Sequence, residues 1–214
     1  MNIVMIGQGG HSKVVEDIVF ANNEHQIVGY LDDKYEDVTI NNQTYYGPIS
    51  FAHEIINSFK DIQFVIAIGN NLIRKKIVNQ LNFSDKSYAT LIHPSAVISS
   101  RSIIGHGTVI MASAVINVDA RIGDHSIINT NAVVEHDNWI GDFVHISPNA
   151  TLTGSIHIAD GVHVGAGVTI IPNLTIGEWS VIGGGATVIN HLPPNCTAVG
   201  VPAKVIVTGR VEFV

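Results

Sequence analysis

His136 stands between two carboxylates, Glu135 and Asp137, in a chain that carries eleven histidines. Imidazole titrates near pH 6.5 when unperturbed, so near neutrality it is mostly free to accept a proton from a reacting group. An acidic neighbour would orient the ring and favour its protonated form, which raises its basicity. A second group is the glycine-rich turn Gly7-Gln8-Gly9-Gly10-His11, whose backbone a phosphate-bearing ligand could approach closely. Simple turn geometry explains the same glycines. Asp32 and Asp33 form a third group: carboxylates at a strand end accept from ribose hydroxyls or a nucleobase N–H, although adjacent aspartates also make solvated turns. His145 and His163, eighteen residues apart, raise a zinc reading, but imidazoles stacked on one face rarely converge on a metal, and no metal site is expected. His106, His125, His157, His163 and His191 read as polar surface residues. The single cysteine, Cys196, cannot form an intramolecular disulfide and reads as packing in a reducing compartment.

The elements that must hold these groups follow from a repeat. Every sixth residue from Ile92 to Val188 is Ile, Leu or Val, seventeen positions without exception. If a quarter of positions were of these types, the chance of that run is on the order of one in ten billion. Four residues after each member, small groups recur, as at Ala114, Ala120, Ser126, Ala132 and Ala150, and suit a tight corner. A period of six is neither 3.6 nor 2, so it describes a short strand and a turn repeated around a polygon. Three sides make one coil of a parallel β-helix. Sixteen hexapeptides span about five coils, roughly 25 Å at ~4.8 Å per strand. His136 lies two residues after the inward Val134, so its ring projects from a corner, and His145, just before the inward Ile146, faces outward. No hexapeptide is interrupted, so the site must use outer faces and corners, which points to a subunit interface.

Residues 1–90 read differently. Asn2–Ile6, Ile27–Leu31 and Ile62–Ile68 are expected strands, Ser12–Asn22 an expected helix, and Asn70 or Asn71 caps a second helix through Gln80 that carries Arg74, Lys75 and Lys76. The order β-α-β…β-α predicts a small Rossmann-like parallel sheet with the glycine turn, Asp32-Asp33 and Gly69-Asn70-Asn71 converging at its carboxyl ends. Ser12 occupies the place of the third glycine of the dinucleotide fingerprint, which argues against a full NAD site. His93-Pro94 marks the start of the prism, giving a division into 1–90 and 91–214 with a short C-terminal tail.

A 46% hydrophobic, 14% charged composition fits a packed protein rather than a disordered one. The net charge of −7 and the absence of a basic cluster disfavour nucleic acid. No apolar stretch is long enough for a bilayer, and Ile3–Ile6 is too short for a signal peptide, so a cytoplasmic location is expected.

Taken together, these stretches resemble the hexapeptide-repeat sugar acyltransferases that carry an N-terminal sheet, particularly the UDP-4-amino-sugar N-acetyltransferases. Carrying the resemblance are Gly9-Gly10-His11, Leu31-Asp32-Asp33, Ile66-Ala67-Ile68-Gly69-Asn70-Asn71 with Ile73-Arg74-Lys75-Lys76, Asn129-Thr130, Glu135-His136, Ile140-Gly141 with His145, Gly183-Gly184-Gly185-Ala186-Thr187 and Gly200-Val201-Pro202-Ala203-Lys204. The resemblance implies a left-handed coil, a homotrimer, and acetyl-CoA lying along the prism between subunits. It implies that Gly9, Gly10, His11, Asp32, Asp33 and Gly69 hold a nucleotide-linked amino sugar. His136 is then the general base, Asp137 rather than Glu135 its orienting partner, and Asn129 a hydrogen-bonding group beside it. His145 meets the cofactor near its thioester, and Ala166 and Gly184 let the pantetheine arm lie against the backbone. A sugar or sialic-acid O-acetyltransferase is the nearest alternative; a zinc enzyme or a non-enzymatic scaffold fits less of the pattern.

Overall fold

The structure, a computed structural model, describes residues 1–22, 24–59 and 61–209. The unbroken apolar run Ile3-Val4-Met5-Ile6 forms β1 (Asn2–Ile6), with all four residues at 0% exposure, as a strand covered on both faces requires. It lies between β2 (Gln26–Leu31) and β5 (Ile62–Ile66), both parallel to it. Beyond β2 the sheet is extended by a hairpin, β3 (Thr39–Asn41) and β4 (Thr44–Gly47), giving the order β3-β4-β2-β1-β5. That hairpin was not expected from the sequence. Its turn residues Asn42 and Gln43 both have positive φ, but Asn-Gln lacks the glycine that usually announces such a turn. Helix α1 (Gly10–Ala21) begins two residues before the expected Ser12, and β5 stops at Ile66 rather than Ile68. A one-turn helix α2 (Ala52–Ile55) follows the hairpin. Helix α3 (Asn71–Leu81) is capped by Asn70, whose side chain accepts the Ile73 N–H at 3.1 Å.

The six-residue period closes into a three-sided left-handed β-helix. Seventeen two-residue strands, β6 (Leu91–Ile92) through β22 (Thr187–Val188), pair in parallel one coil apart. The first face holds β6 and every third strand after it, including β12 (Ile127–Ile128), β15 (His145–Ile146) and β18 (His163–Val164), and ends in β23 (Cys196–Val199) and β24 (Lys204–Thr208). The second face holds β13 (Val133–Val134), the third β14 (Trp139–Ile140). From Ile110 to Val188 every member of the aliphatic series is at most 3% exposed. Each such side chain contributes roughly 1.5–3 kcal/mol by leaving water. The small residues four positions on, Ala114, Ala120, Ala132 and Ala150 among them, are also buried, a second inward position beside each turn. From Gly107 to Gly185 every sixth residue is left-handed, with φ near +60° at Ser113, Asp119, Asn131, Asp137, Asn149 and Ser155 among them.

The sheet and α1 together pack on the first face. Ile3, Met5 and Val65 with Val15, Ile18 and Val19 of α1 share one cluster with the outward-pointing Leu91, Val109 and Ile127 of the upper coils. The other side of the sheet is covered by α2 and α3. Polar bonds complete the seam. Arg74, 1% exposed, donates to the carbonyls of His125 and Phe143 at 3.0 Å, and Asn71 donates to those of Gly161 and Val162 at 3.1 and 3.2 Å. His125 is therefore not a surface residue: it is 4% exposed, edge-on to Tyr88 and stacked on Phe143. Burial holds its pKa down to about 4, so it sits there neutral.

Candidate active site

His136 follows β13 on the edge between the second and third faces. Asp137, next along the chain, adopts the left-handed turn (φ 59°) and its Oδ2 lies 2.8 Å from His136 Nδ1. With a carboxylate accepting, Nδ1 carries the ring proton and Nε2 is left as an acceptor. The pair is half-exposed, 54% and 57%, so its contribution to stability is small and its content is orientation. Backbone bonds to the coils on both sides fix its position: Asp137 N–H donates to Val118 O at 3.1 Å, and His136 O accepts Ser155 N–H at 3.0 Å. The ring rests on Gly154, where a β-carbon would fall 2.5 Å from His136 Cε1. Gly154 was not singled out from the sequence. Glu135 has no side-chain bond to the imidazole among those described; its carbonyl accepts Asn138 Nδ2 at 2.7 Å.

At the sheet's carboxyl ends the first two tips meet. Asp32 Oδ2 accepts the Gln8 N–H at 2.6 Å and Oδ1 accepts the Lys34 N–H at 3.0 Å, so this carboxylate braces the glycine turn, while Asp33 beside it is exposed. Ser12 Oγ donates to Gly9 O at 2.7 Å, a bond a third glycine could not make. Gly9 and Gly10 are exposed, with open space where a side chain would lie. His11 leans toward the prism, its ring 6.2 Å from that of His145; burial, then the Arg74 charge, lowers its pKa to about 4.

The third tip reaches His145. Its Nδ1 is 3.2 Å from Gly69 O and its Nε2 is 3.1 Å from Asn129 Nδ2. Although it projects from the prism, the sheet covers it to 8% exposure, and burial drives its pKa well below the usual histidine value. His163 pairs with it one coil down, ring centroids 4.8 Å apart. Beside them a cavity of about 850 Å³ opens between the start of α3 and the lower coils, walled by Gly69, Lys75, His145, His163 and Trp179. Lys75 Nζ sits 4.9 Å from the Trp179 ring centre.

Asn129, Ala166 and Gly184 all lie on the edge between the first and second faces; the latter two are exposed one coil apart, linked by Gly185 N–H to Ala166 O at 2.8 Å. The structure thus joins Gly69, His11, His145 and Asn129 in one neighbourhood. It puts His136 and Asp137 on the edge opposite the first face, away from the sheet of the same protomer.

Residues 2–81 match the family model of the PglD N-terminal domain. Perosamine N-acetyltransferase from Caulobacter crescentus, solved with CoA and GDP-perosamine, is 33% identical and superposes with a TM-score of 0.86 over 96% of this chain and 97% of that one. The chain belongs to the sugar N-acetyltransferase family. Within that family it is also 34% identical to the acetyltransferase domain of PglB from Neisseria gonorrhoeae, solved with acetyl coenzyme A, at a TM-score of 0.83 over 96% of this chain and 98% of that one. UDP-N-acetylbacillosamine N-acetyltransferase of Bacillus subtilis is 45% identical over 106 residues, so the match spans about half the length of that curated relative, 49%. Among the described residues of this member of the family, no group of three or more His, Cys, Asp or Glu is placed to hold a metal ion, and no helix is long and apolar enough to cross a membrane.

Proposed function

We propose that the protein moves the acetyl group of acetyl-CoA to the 4-amino group of a nucleotide-linked amino-dideoxy sugar of the UDP-4-amino-4,6-dideoxy-N-acetyl-hexosamine type. The product serves surface glycan or glycoprotein synthesis, and the enzyme works in the cytoplasm as a homotrimer. The observation that carries this reading is the likeness over 96% of the chain to an N-acetyltransferase solved with CoA and an amino-sugar nucleotide. The UDP carrier follows the UDP-sugar relative.

In this reading residues 1–90 hold the sugar nucleotide through Gly9, Gly10, His11, Asp32, Asp33 and Gly69. Residues 91–214 hold acetyl-CoA, its pantetheine along Ala166 and Gly184 and its thioester near His145. The amine nitrogen attacks the thioester carbonyl, the new C–N bond forms, and His136 Nε2 takes the proton the nitrogen loses. The C–S bond then breaks and the proton passes to the departing sulfur of CoA. Asp137 keeps Nδ1 protonated so that Nε2 stays free, with Glu135 on the other flank and Asn129 as a hydrogen-bonding group. The trimer is part of the mechanism. Since His136 occupies the edge opposite the sheet, a neighbouring protomer supplies the base to each sugar site.

The test is free-thiol release from acetyl-CoA across UDP-, GDP- and CMP-linked amino sugars and free sialic acid. A UDP-4-amino sugar should be consumed fastest, and His136→Ala should slow it by about 10²–10⁴-fold. Preference for a sugar hydroxyl, or full activity in the alanine variant, overturns the proposal.

A further inference from the structure

Arg74 is the largest fully buried side chain, and its partners among the described residues are all carbonyl oxygens. A guanidinium has five N–H groups, and five contacts are made: Nε to His125 O, Nη1 to Ile68 O and Gly69 O, Nη2 to Phe143 O at 3.0 Å each for these four, and Nη2 to Val144 O at 3.4 Å. Bolting the sheet to the prism would need only the contacts to His125, Phe143 and Val144. The pair on Ile68 and Gly69 instead fixes the tip that bears on His145.

We propose that Arg74 is a positioning residue that, by pinning the Gly69 carbonyl, sets the tautomer of His145 and through it the direction of the Asn129 amide. A carbonyl can only accept, so the His145 nitrogen 3.2 Å from Gly69 O, Nδ1, carries the proton. Nε2 of the neutral ring is then bare and accepts from Asn129 Nδ2 at 3.1 Å. The amide is oriented the same way from its other end, since Asn129 Oδ1 accepts the Thr130 N–H at 2.8 Å. A second proton on His145 would set donor against donor at Asn129. It would also place a charge among Arg74, His11 and His163, a cost that burial enlarges. The consequence for turnover rests on the function proposed above, in which His145 and Asn129 face the acetyl donor.

The experiment uses the full chain labelled with ¹⁵N-histidine, reading the ring nitrogens of His145 between pH 5.5 and 8, alongside acetyl-transfer kinetics. In the parent, His145 should show one tautomer, Nδ1 protonated and Nε2 bare, with no titration. Arg74→Lys keeps the charge but has three donors for five carbonyls. It should give mixed tautomers and about tenfold lower kcat. Asn71→Ala removes seam bonds that do not touch Gly69, and should lower the thermal midpoint while leaving the His145 tautomer as in the parent. A parental His145 protonated at Nε2, or an Arg74→Lys variant with a single parental tautomer and parental kcat, overturns the proposal. The tautomer measurement needs no acceptor, so a protein that acetylated no amino sugar would sink the functional reading and leave this one to be decided by the spectra.

Discussion

Replacing Gly154 by alanine should separate the placement of the base from the stability of the fold. An ideal β-carbon at Gly154 would lie 2.5 Å from His136 Cε1 and 2.6 Å from Nε2. Carbon atoms in contact sit about 3.5–4.0 Å apart, so the imidazole must retreat by about 1 Å. It can do so easily, because the side chain is half-exposed and its only described ring partner is Asp137, itself exposed. The backbone at Gly154 is not left-handed, so alanine is conformationally allowed and would stiffen the unfolded chain, a gain of ~0.4–1 kcal/mol. Losing an exposed ion pair costs about 0–1 kcal/mol in return, so the thermal midpoint should hardly move. Turnover should move far more, since about 1 Å of misplacement of a reacting group can cost on the order of 10²-fold. Calorimetry and thiol-release kinetics at saturating acetyl-CoA measure the two. A variant with kcat within twofold of the parent, in a protein whose His136→Ala form is inactive, would refute the claim that the ring works from this perch.

Asp137→Asn keeps a residue type that tolerates φ near 59° but removes the carboxylate; the melt should be unchanged and kcat about tenfold or more lower, and parental kcat would count against the orienting role. Acidification should destabilise the fold, because buried His125 has a folded pKa of about 4 against 6.5 when unfolded. Between those values the unfolded chain binds the proton and the folded one does not, so stability is complete above about pH 6.5 and falls toward pH 4, by roughly 3 kcal/mol for this group. Urea titrations at pH 7, 6 and 5 measure the slope, which His125→Asn should flatten. Cys196, at 0% exposure, should stay silent toward a thiol reagent in the native state, so one equivalent of rapid background colour would contradict its burial.

The prism was legible because its physics is one-dimensional: each hexapeptide repeats one inward aliphatic, and Ile110 through Val188 are buried as that register requires. The docking face was legible in principle. Outward residues recur on one face every eighteen positions, and Leu91, Val109 and Ile127 there are apolar, which an exposed face would not favour. His125, Phe143 and Trp179 carry the same message, since bulky residues at left-handed positions are costly unless their rings are used, and here they line the edge beneath α3. Read singly, His125 looked like surface, and only the eighteen-residue spacing shows that it shares an edge with Phe143. Arg74 was visible as a helix residue in a matching stretch, but not its burial, because three of its five bonds go to carbonyls 51 to 70 residues away.

The exposed position of His136 follows from how a solenoid holds a residue. A base in a globular core is located by packing, and its burial then works against its charged form. On this edge the location comes from backbone bonds to the coils above and below, through Val118 and Ser155, and from the left-handed turn at Asp137, while the ring itself remains in water. Coils that cannot slide past one another without breaking register place the imidazole as firmly as packing would. The scaffold thus offers an accepting nitrogen on an open edge, which is what the function proposed above asks of it. The same arrangement explains why small residues matter there: with no core around the ring, a single glycine beneath it decides where it rests.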